Sequence, residues 1–530
     1  MSYSIQLPEN YNCVETFVDS HIKEGRGNKI AIYYKDTVYT YEDLYKNVNK
    51  VGNFLKELGI ERENRILLMI PDSPELVFSF FGAMKIAAVP IPVNTRLTPQ
   101  LYSYMLNDSR AKAVIVHKDL LDSFKIIEKE LRFLKHKIIV EGKEQGYLSF
   151  QELLDSASPE LTPEETHKDE MAFWLYTSGS TGAPKGVVHL HHDLIYICDS
   201  YAKNVLKVVP DDISLSVSKM FHAYGLGNSI AFPFRFGAST VLISEIPKPD
   251  IMLKAIDKYK VTLFYGVPTF YASCLAIDNI EEKYSLSSLR LCVSAGEPLP
   301  SIIYKKWLEK FNVEILDGIG STEVLHIYLS NFPNKVKPGS LGVPVPGYEV
   351  KLVDEEGNLI EKENEVGTLW VKGESTTPYF WNKHEKTKKQ CIGEWFNTED
   401  LFYKDSDGYY WYYGRSDDAF KYKGEWVVPV EIENVIIEHP AVLENAVIGV
   451  KDVDGLTKPM ALIVLKKSYK PSEQLAEEIK KFVRTKLPGY KVPYWIKFVK
   501  ELPKTATGKI QRYKLRQQVN YSSLREGACS

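Results

Sequence analysis

Two neighbouring stretches decide the fold class: YEDLYKNVNKVGNFLKEL at Tyr41–Leu58 and RILLMI at Arg65–Ile70. The first repeats its apolar residues at helical spacing, which predicts an amphipathic helix. The second is an almost continuous apolar run, which is typical of a strand buried on both faces of a parallel sheet. A helix and a buried strand in alternation predict an α/β fold, with parallel sheets covered by helices.

The same alternation continues along the N-terminal part of the chain. The stretch from Glu75 to Ala88 predicts a buried helix that runs into a short extended segment. This apolar region is too short and too often interrupted to span a bilayer. Further apolar runs predict strands at Ala113–Val116, Lys137–Val140, Val241–Ser244 and Val261–Tyr265.

The pattern changes after about Pro344. Short extended segments predict antiparallel strands at Tyr348–Val353, Gly367–Lys372 and Gly408–Tyr413. We therefore expect a small β-barrel-like subdomain over about residues 345–413. The run GRSDD at Gly414–Asp418 is a polar break, and beyond it the patterns are those of a small α+β unit. These features predict an N-terminal domain of residues 1–416 and a small mobile lid domain of residues 417–530.

The composition is that of an ordinary globular protein. Of the 530 residues, 44% are apolar and 25% are charged, which excludes a disordered chain. The net charge of −3 argues against a protein that binds nucleic acid. The six cysteines show no C-x-x-C spacing, which argues against zinc and favours thiols in a reducing compartment. The sequence does not open on a secretory signal pattern, so we expect a cytoplasmic protein without a membrane partner.

The strongest local motif is YTSGSTGAPKGV at Tyr176–Val187. Gly179 and Gly182 lie among four serine and threonine hydroxyls and precede Lys185. In such a loop, backbone N–H groups converge on phosphate oxygens, while the hydroxyls and the lysine add donors and charge. The spacing is not that of a Walker A loop. A polar surface loop is the alternative, and this ordered string favours phosphate binding over it.

Three further motifs are weaker when each is taken alone. DGIGSTE at Asp317–Glu323 offers glycines for close approach, a threonine for phosphate and a glutamate for Mg²⁺. Asp400 and Arg415 have the chemistry to bind a ribose, or else form a surface ion pair of little energy. Lys509, in PKTATGKIQR, would by itself be a solvated loop lysine.

The run HLHHD at His189–Asp193 has the composition of a metal site. The three histidines lie where a loop passes into a helix, and no thiol or carboxylate cluster beyond Asp193 accompanies them. We therefore expect a structural role rather than zinc binding.

In combination and in this order, the motifs are highly specific. From about Asn12 to Leu515, the chain resembles the acyl-adenylate-forming superfamily of acyl- and aryl-CoA synthetases, luciferases and nonribosomal adenylation domains. Finer stretches resemble its benzoate–CoA ligase branch: PDSPELVFSFFGAMKIAAVPIPVNTRL at 71–97, MFHAYGLGN at 220–228, SAGEPLP at 294–300 and DGIGSTEVLHIYLSN at 317–331. The resemblance implies a ligase that uses ATP, Mg²⁺ and coenzyme A and forms an acyl-AMP intermediate.

The resemblance also assigns an ATP site by position. Phosphate contacts are implied for Thr177, Ser178, Gly179, Ser180, Thr181, Gly182 and Lys185. Adenine contacts are implied for Gly296, Glu297, Pro298, Asp317, Gly318 and Ile319. Asp400 and Arg415 match the ribose-binding pair, and Tyr412 joins the ATP-binding set. Thr322 would contact the α-phosphate, Glu323 would bind Mg²⁺, and Lys509 would bridge the carboxylate and the α-phosphate during adenylation.

An acyl pocket and a thiolation face follow from the same resemblance. The pocket would be lined by Ala223, Tyr224, Gly225, Leu226, Gly320, His326 and Ile327, a set that suits a planar ring. His222 would stand at the gate between pocket and CoA tunnel, a position where the benzoate branch more often has phenylalanine. His326 either meets a polar ring substituent or closes the pocket wall, and the wall is favoured. Lys421 and Gly424 would face the site for thioester formation after the lid rotates about Asp417.

Three functions fit these features. The first is an aryl-CoA ligase for benzoate or a close relative, acting as a monomer or homodimer on small molecules. The second loads the activated acid onto the pantetheine thiol of a carrier protein. The third is a catalytically silent nucleotide-binding protein, which conflicts with the joint presence of Lys509, Glu323, Asp400 and Arg415.

Overall fold

A computed structural model describes residues 5–177, 183–415, 420–422, 425–452, 456–504 and 510–518. The chain divides into two compact units. The first comprises Met1–Leu299, Ile303–Glu349 and Val371–Phe396, and the second comprises Pro300–Ile302, Val350–Trp370 and Asn397–Ser530.

Two large sheets form the framework of the first unit. The strand order of the larger sheet is Val343–Pro344, Ile327–Ser330, Ile315–Gly320, Leu291–Ser294, Leu263–Gly266, Ile213–Ser216, Ser239–Leu242, Ile30–Tyr34, Thr37–Thr40. The six consecutive strands from Ile315–Gly320 to Ile30–Tyr34 are parallel, and the remaining three pairings are antiparallel. The smaller sheet is parallel throughout, in the order Val89–Pro92, Arg65–Met69, Ala113–His117, His136–Val140, Leu148–Ser149.

Helix Tyr41–Glu57 shows why the sequence pattern identifies the fold class. It begins with a capping box, in which the Thr40 hydroxyl accepts from the Asp43 N–H and the Asp43 carboxylate accepts from the Thr40 N–H. Its stripe of leucine, valine and phenylalanine is fully buried. The strand that follows, Arg65–Met69, is buried at every position after Arg65. The predicted α/β fold with parallel sheets is confirmed.

The other helices of this unit are mostly short. The α-helices lie at Ser20–Lys23, Pro74–Lys85, Pro99–Asp108, Leu121–Ile127, Phe150–Ser156, His191–Ile197, Ala223–Leu226, Phe232–Phe236, Pro249–Tyr259, Pro268–Leu275, Ile280–Lys283, Ser301–Phe311 and His384–Gln390. Glu15–Asp19, Cys198–Leu206 and Gly227–Ala231 wind as π-helices, and Lys118–Leu120, Glu128–Glu130 and Thr322–Val324 as 3₁₀ turns. Among the described helices of the whole chain, none has the length and hydrophobicity needed to cross a membrane.

The second unit is β-rich first and α+β afterwards. A five-stranded sheet contains Glu349–Val353, Gly367–Lys372, Cys391–Ile392, Trp395–Lys404 and Tyr410–Arg415, of which Cys391–Ile392 falls in the first unit. A hairpin of Phe420–Tyr422 and Glu425–Val427 and a sheet of Val442–Lys451, Thr457–Leu465 and Trp495–Phe498 follow. The helices are Pro429–Ile436, Glu473–Arg484 and Arg512–Gln518, with a 3₁₀ turn at Gly489–Lys491. The expected small α+β C-terminal domain is confirmed.

The predicted polar break begins later than its sequence indicates. Gly414 and Arg415 belong to the strand Tyr410–Arg415, where they lie opposite Leu401 and Asp400. Gly414 permits close packing rather than a break, because a Cβ there would lie 2.6 Å from Cγ1 of Val428. The predicted hinge, Asp417, lies outside the described residues.

Candidate active site

The phosphate-loop motif is carried by a hairpin. Strands Met171–Thr177 and Lys185–Leu190 are antiparallel, and Thr177 lies directly opposite Lys185 where they lead into the loop. The ammonium of Lys185 lies 4.9 Å from the centroid of the Phe380 ring. The loop itself, from Ser178 through Gly179, Ser180 and Thr181 to Gly182, lies outside the described residues, and its phosphate role stays a prediction.

The predicted adenine residues come from two neighbouring parallel strands. Leu291–Ser294 and Ile315–Gly320 pair with Ser294 opposite Asp317, so Gly296–Pro298 leave the sheet at the edge where Asp317–Ile319 lie. Gly296 has φ +98°, a left-handed value that favours glycine. In open α/β sheets, ligands bind outside the carboxyl ends of the strands, which is this edge.

Asp317 joins these two segments. Its Oδ2 accepts the backbone N–H of Leu299 at 2.7 Å. Its backbone carbonyl accepts from the Asn331 amide side chain at 3.1 Å and from the Asn331 N–H at 3.0 Å. Burial raises the pKa of the Asp317 carboxyl well above its usual range. The side chain therefore acts as a buried anchor for the loop after Ser294.

The turn Thr322–Val324 is held in place through its own three backbone carbonyl groups, each of which accepts a hydrogen bond from another segment. Nε2 of His189 donates to the Thr322 carbonyl at 2.8 Å, and the Thr377 N–H donates to the Glu323 carbonyl at 2.7 Å. Oγ of Ser375 donates to the Val324 carbonyl at 2.8 Å. Donors from two other segments therefore fix the backbone that carries the predicted α-phosphate and Mg²⁺ residues.

The Glu323 side chain fits the chemistry of Mg²⁺. It is half-buried and makes no ion pair within the part of the chain that the structure describes. Mg²⁺ in nucleotide sites is usually bound by one or two carboxylates together with phosphate oxygens and water. Leu325, two positions on, has φ +70°, which is unusual for a bulky residue. Such backbone strain persists where the surrounding structure holds it, and it is concentrated at active sites.

His189 brings the phosphate hairpin and this turn together. It belongs to the strand Lys185–Leu190, so its bond to the Thr322 carbonyl joins the two predicted phosphate-binding segments. Its Nδ1 donates to Asp193 at 2.7 Å. Both ring nitrogens are thus used in hydrogen bonds within the protein. The expected structural role of the HLHHD run stays a prediction.

The predicted acyl-pocket residues converge on His326. The Tyr224 ring centroid lies 5.6 Å from that of His326, and Gly320 lies opposite Ile327 in an antiparallel pair. A Cβ at Gly320 would lie 2.4 Å from the His326 carbonyl oxygen, so only glycine permits this approach. Ala223 is 6% exposed and Leu226 is buried. The structure therefore brings Tyr224, Gly320 and Ile327 together with His326, and their contact with an acyl group stays a prediction.

His326 is a buried side chain in aromatic surroundings, and its part in the acyl pocket stays a prediction. Rings of Tyr201, Tyr224 and Phe232 surround it, and its Nε2 donates to Oδ1 of Asn228 at 3.2 Å. Burial lowers the pKa of His326 to about 3, so the ring is neutral. Asn228 lies in the π-helix that follows Ala223–Leu226, and π-turns are common at functional sites. The sequence analysis missed this residue, since its partner is distant in the chain.

The short helix Ala223–Leu226 depends on two small features. His222 precedes Ala223–Leu226, and its carbonyl accepts the Leu226 N–H at 2.8 Å. A Cβ at Gly225 would lie 2.1 Å from the Lys219 carbonyl oxygen, so the loop before the helix can pass only over glycine. The gate role of His222 remains a prediction.

The predicted ribose residues belong to the second unit. Asp400 and Arg415 lie directly opposite each other in the hairpin of Trp395–Lys404 and Tyr410–Arg415. Nη2 of Arg415 lies 3.5 Å from Oε2 of Glu399, and the ring of Tyr412 packs edge-on against Phe402. Of the thiolation pair, Lys421 lies in the strand Phe420–Tyr422. Gly424 and Lys509 lie outside the described residues.

Comparison with known proteins agrees with this geometry. Residues 20–381 match the model of the AMP-binding enzymes, and residues 431–509 match that of the AMP-binding enzyme C-terminal domain. The chain is 43% identical over 515 residues to the benzoate–CoA ligase of Thauera aromatica, with 97% of both chains covered. It is 39% identical over 510 residues to the 4-hydroxybenzoate–CoA/benzoate–CoA ligase of Rhodopseudomonas palustris, covering 96% of this chain and 94% of that protein.

Two solved structures superpose over nearly the whole chain. The anthranilate CoA ligase AuaEII in complex with anthranoyl-AMP gives a TM-score of 0.93 at 42% identity, covering 96% of this chain and 98% of that one. A benzoate CoA ligase from Burkholderia xenovorans gives 0.89 at 41% identity, covering 96% and 100%. The chain therefore belongs to the AMP-binding family of acyl-adenylate-forming enzymes. Within that family it is an AMP-forming acid–thiol ligase of the benzoate–CoA ligase branch.

Proposed function

We propose that this enzyme activates benzoate or a substituted benzoate with ATP and transfers the acyl group to coenzyme A. The observation that carries the proposal is full-length similarity to four proteins named as CoA ligases of benzoate or hydroxybenzoates. The small and aromatic residues near His326 support it, because glycines and flat rings are residue types that suit a planar acid.

In the first half-reaction, a carboxylate oxygen attacks the α-phosphorus of ATP, and pyrophosphate leaves. Both reactants are anions, so the site must supply positive charge where they meet. We assign the phosphates to the loop between Thr177 and Lys185, the α-phosphate to Thr322 and the bridging charge to Lys509. Glu323 would hold Mg²⁺, which neutralises phosphate charge when bound.

The same proposal assigns the rest of ATP. The adenine would lie against Gly296–Pro298 and Asp317–Ile319, where the two parallel strands end. Asp400 would accept from the ribose hydroxyls, with Arg415 and Tyr412 beside it on the same hairpin. The protein forms no covalent bond to the substrates in such phosphoryl chemistry, so positioning of this kind accounts for much of the rate acceleration.

In the second half-reaction, the CoA sulfur attacks the acyl carbonyl carbon, the thiol proton is released, and AMP leaves. A different set of residues serves this step, so we assign it to a second face of the C-terminal domain that carries Lys421 and Gly424. Rotation about Asp417 would exchange the two faces, as in hinged enzymes that close around successive substrates. His222 would form the gate between pocket and thiol.

The acid is tested by a pyrophosphate-release screen over benzoate, hydroxy-, amino- and fluorobenzoates, phenylacetate, cinnamate and short fatty acids. We expect benzoate-type acids to give the highest kcat/KM. A clear preference for an aliphatic acid would overturn the aryl assignment and leave the adenylation chemistry intact.

The thiol acceptor is tested separately, because a carrier-protein pantetheine could replace coenzyme A in the same chemistry. The acyl-adenylate is offered free CoA or a phosphopantetheinylated carrier protein in parallel assays. We expect thioester formation with free CoA, as the names of the relatives indicate. Efficient transfer to the carrier alone would favour the carrier-loading function.

Replacing Ala223 with leucine tests the acyl pocket. The larger side chain should narrow the space beside the ring and lower kcat/KM for the preferred acid roughly 10- to 200-fold, because a pocket distinguishes small apolar groups by about 1–3 kcal/mol. Ala255→Leu is the matched control, since Ala255 is 5% exposed and lies in helix Pro249–Tyr259. A substrate profile unchanged by Ala223→Leu would remove this residue from the pocket.

We also propose that the enzyme works in the cytoplasm, as a monomer or homodimer. The cysteines at 13, 198, 274, 292 and 391 are thiols rather than disulfides, which suits a reducing compartment. Sedimentation of the purified protein measures the oligomeric state, and a species larger than a dimer would contradict the proposal.

A further inference from the structure

We infer that His189 and Asp193 form a positioning pair that sets the geometry of the turn Thr322–Val324 for adenylation. The inference rests on the proposed function, because that function gives this turn the α-phosphate and Mg²⁺ contacts. Neither residue is expected to touch a substrate; the pair acts through the Thr322 backbone.

The pair is fully buried, and hydrogen bonds connect it in one direction, from Asp193 through the His189 ring to the Thr322 carbonyl. The side chains of His189 and Asp193 are each 0% exposed. Nδ1 of His189 donates to Oδ2 of Asp193 at 2.7 Å, and Nε2 donates to the Thr322 carbonyl at 2.8 Å. Both ring nitrogens therefore have a hydrogen-bond partner, and the ring cannot rotate without losing both bonds.

Asp193 is itself held at a rigid element. Its Oδ2 also accepts the Leu190 N–H at 3.1 Å, where helix His191–Ile197 begins. Its Oδ1 lies 3.0 Å from Nε2 of His192. Burial raises the pKa of the Asp193 carboxyl, but the hydrogen bonds from His189 and His192 outweigh it and hold that pKa below its usual value. Asp193 therefore presents a fixed acceptor that orients the His189 ring.

The Thr322 carbonyl connects the fixed His189 ring to the turn Thr322–Val324. This carbonyl accepts a hydrogen bond from Nε2 of His189 and another, at 3.2 Å, from the backbone N–H of Leu325. The second bond helps to hold the Leu325 backbone at its strained φ of +70°. Loss of His189 would remove a buried donor and free the turn to relax. A shift of about 1 Å in a catalytic group can cost about 100-fold in rate.

His191 provides a matched control two positions away. It is also 0% exposed, and its Nδ1 accepts the Cys13 N–H at 3.3 Å instead of contacting the turn. His191→Ala therefore removes a buried imidazole from the same segment without touching Thr322. A merely structural histidine at 189 should behave like this control.

The test measures ATP–pyrophosphate exchange with the preferred aryl acid, with kcat and KM for MgATP and the thermal midpoint of each variant. We expect His189→Ala to lower kcat about 10- to 100-fold, the range for losing a group that orients a metal-site ligand. KM for the acid should change little, and His189→Gln, which keeps a donor near Thr322, should recover part of kcat. His191→Ala should lower the thermal midpoint with kcat close to wild type.

Equal kcat in the His189 and His191 variants, at any thermal midpoint, would overturn the inference. If His189→Ala does not fold, Asp193→Asn is measured instead, because it keeps the shape of Asp193 and weakens its hold on His189. An unchanged kcat in Asp193→Asn would then overturn the inference. Absence of exchange by the wild-type enzyme with every acid would instead remove the proposed function, so the two failures are distinguishable.

Discussion

Replacing Lys509 with alanine is expected to lower the rate of acyl-adenylate formation at least about 100-fold, the scale for losing one preorganised charge-stabilising group. The lysine is assigned to the point where carboxylate and α-phosphate meet, and no neutral side chain can offset the charge that develops there. Conversion of a supplied acyl-adenylate to the thioester should be much less affected, because the phosphorus–oxygen bond has already formed.

The measurement is pyrophosphate exchange for the first step and thioester formation from synthetic acyl-adenylate for the second. Lys500→Ala serves as the control, because Lys500 is an exposed lysine of the same C-terminal domain. Loss of both steps by the same factor in Lys509→Ala would contradict a role confined to adenylation.

Gly424→Leu is expected to have the opposite effect. A leucine at this position would obstruct the pantetheine arm and cost thioester formation about 100-fold or more, since misplacing a reacting group by about 1 Å has that effect. Adenylate formation should stay near the wild-type rate, because ATP and acid react before the thiol enters.

The control for this variant is Gly489→Leu, since a Cβ at Gly489 would meet nothing within 4 Å. Both half-reactions are measured on both variants. Equal losses in the two steps, for Lys509→Ala and Gly424→Leu alike, would contradict a C-terminal domain that presents two faces in turn.

Local sequence patterns were sufficient to predict those elements whose formation depends mainly on the residues within them. The stripe of Tyr41–Glu57 and the apolar run of Arg65–Met69 predicted an amphipathic helix and a buried strand, and both form. The prediction of a polar break was wrong at Gly414, which lies in a strand. The sequence alone cannot show that Val428 packs against that glycine. In a sequence, a glycine that lets a neighbouring side chain pack closely cannot be distinguished from a glycine that permits a turn.

The site was predictable as a set of motifs but not as a set of contacts. The HLHHD run was noticed, yet the partner of His189 is the carbonyl of Thr322, 133 positions away. Asn228 was missed for the same reason, because it meets His326 across 98 positions. Backbone carbonyls carry no residue-type signal, so hydrogen bonds to them cannot be read from a single sequence.

The most direct test of an AMP-forming aryl-CoA ligase is the product balance of the complete reaction. The wild-type enzyme is incubated with benzoate, ATP, Mg²⁺ and coenzyme A, and AMP, pyrophosphate and benzoyl-CoA are quantified together. We expect the three products in equal amounts, with none formed when the acid is left out. Formation of ADP and phosphate, or of AMP without a thioester, would contradict the account.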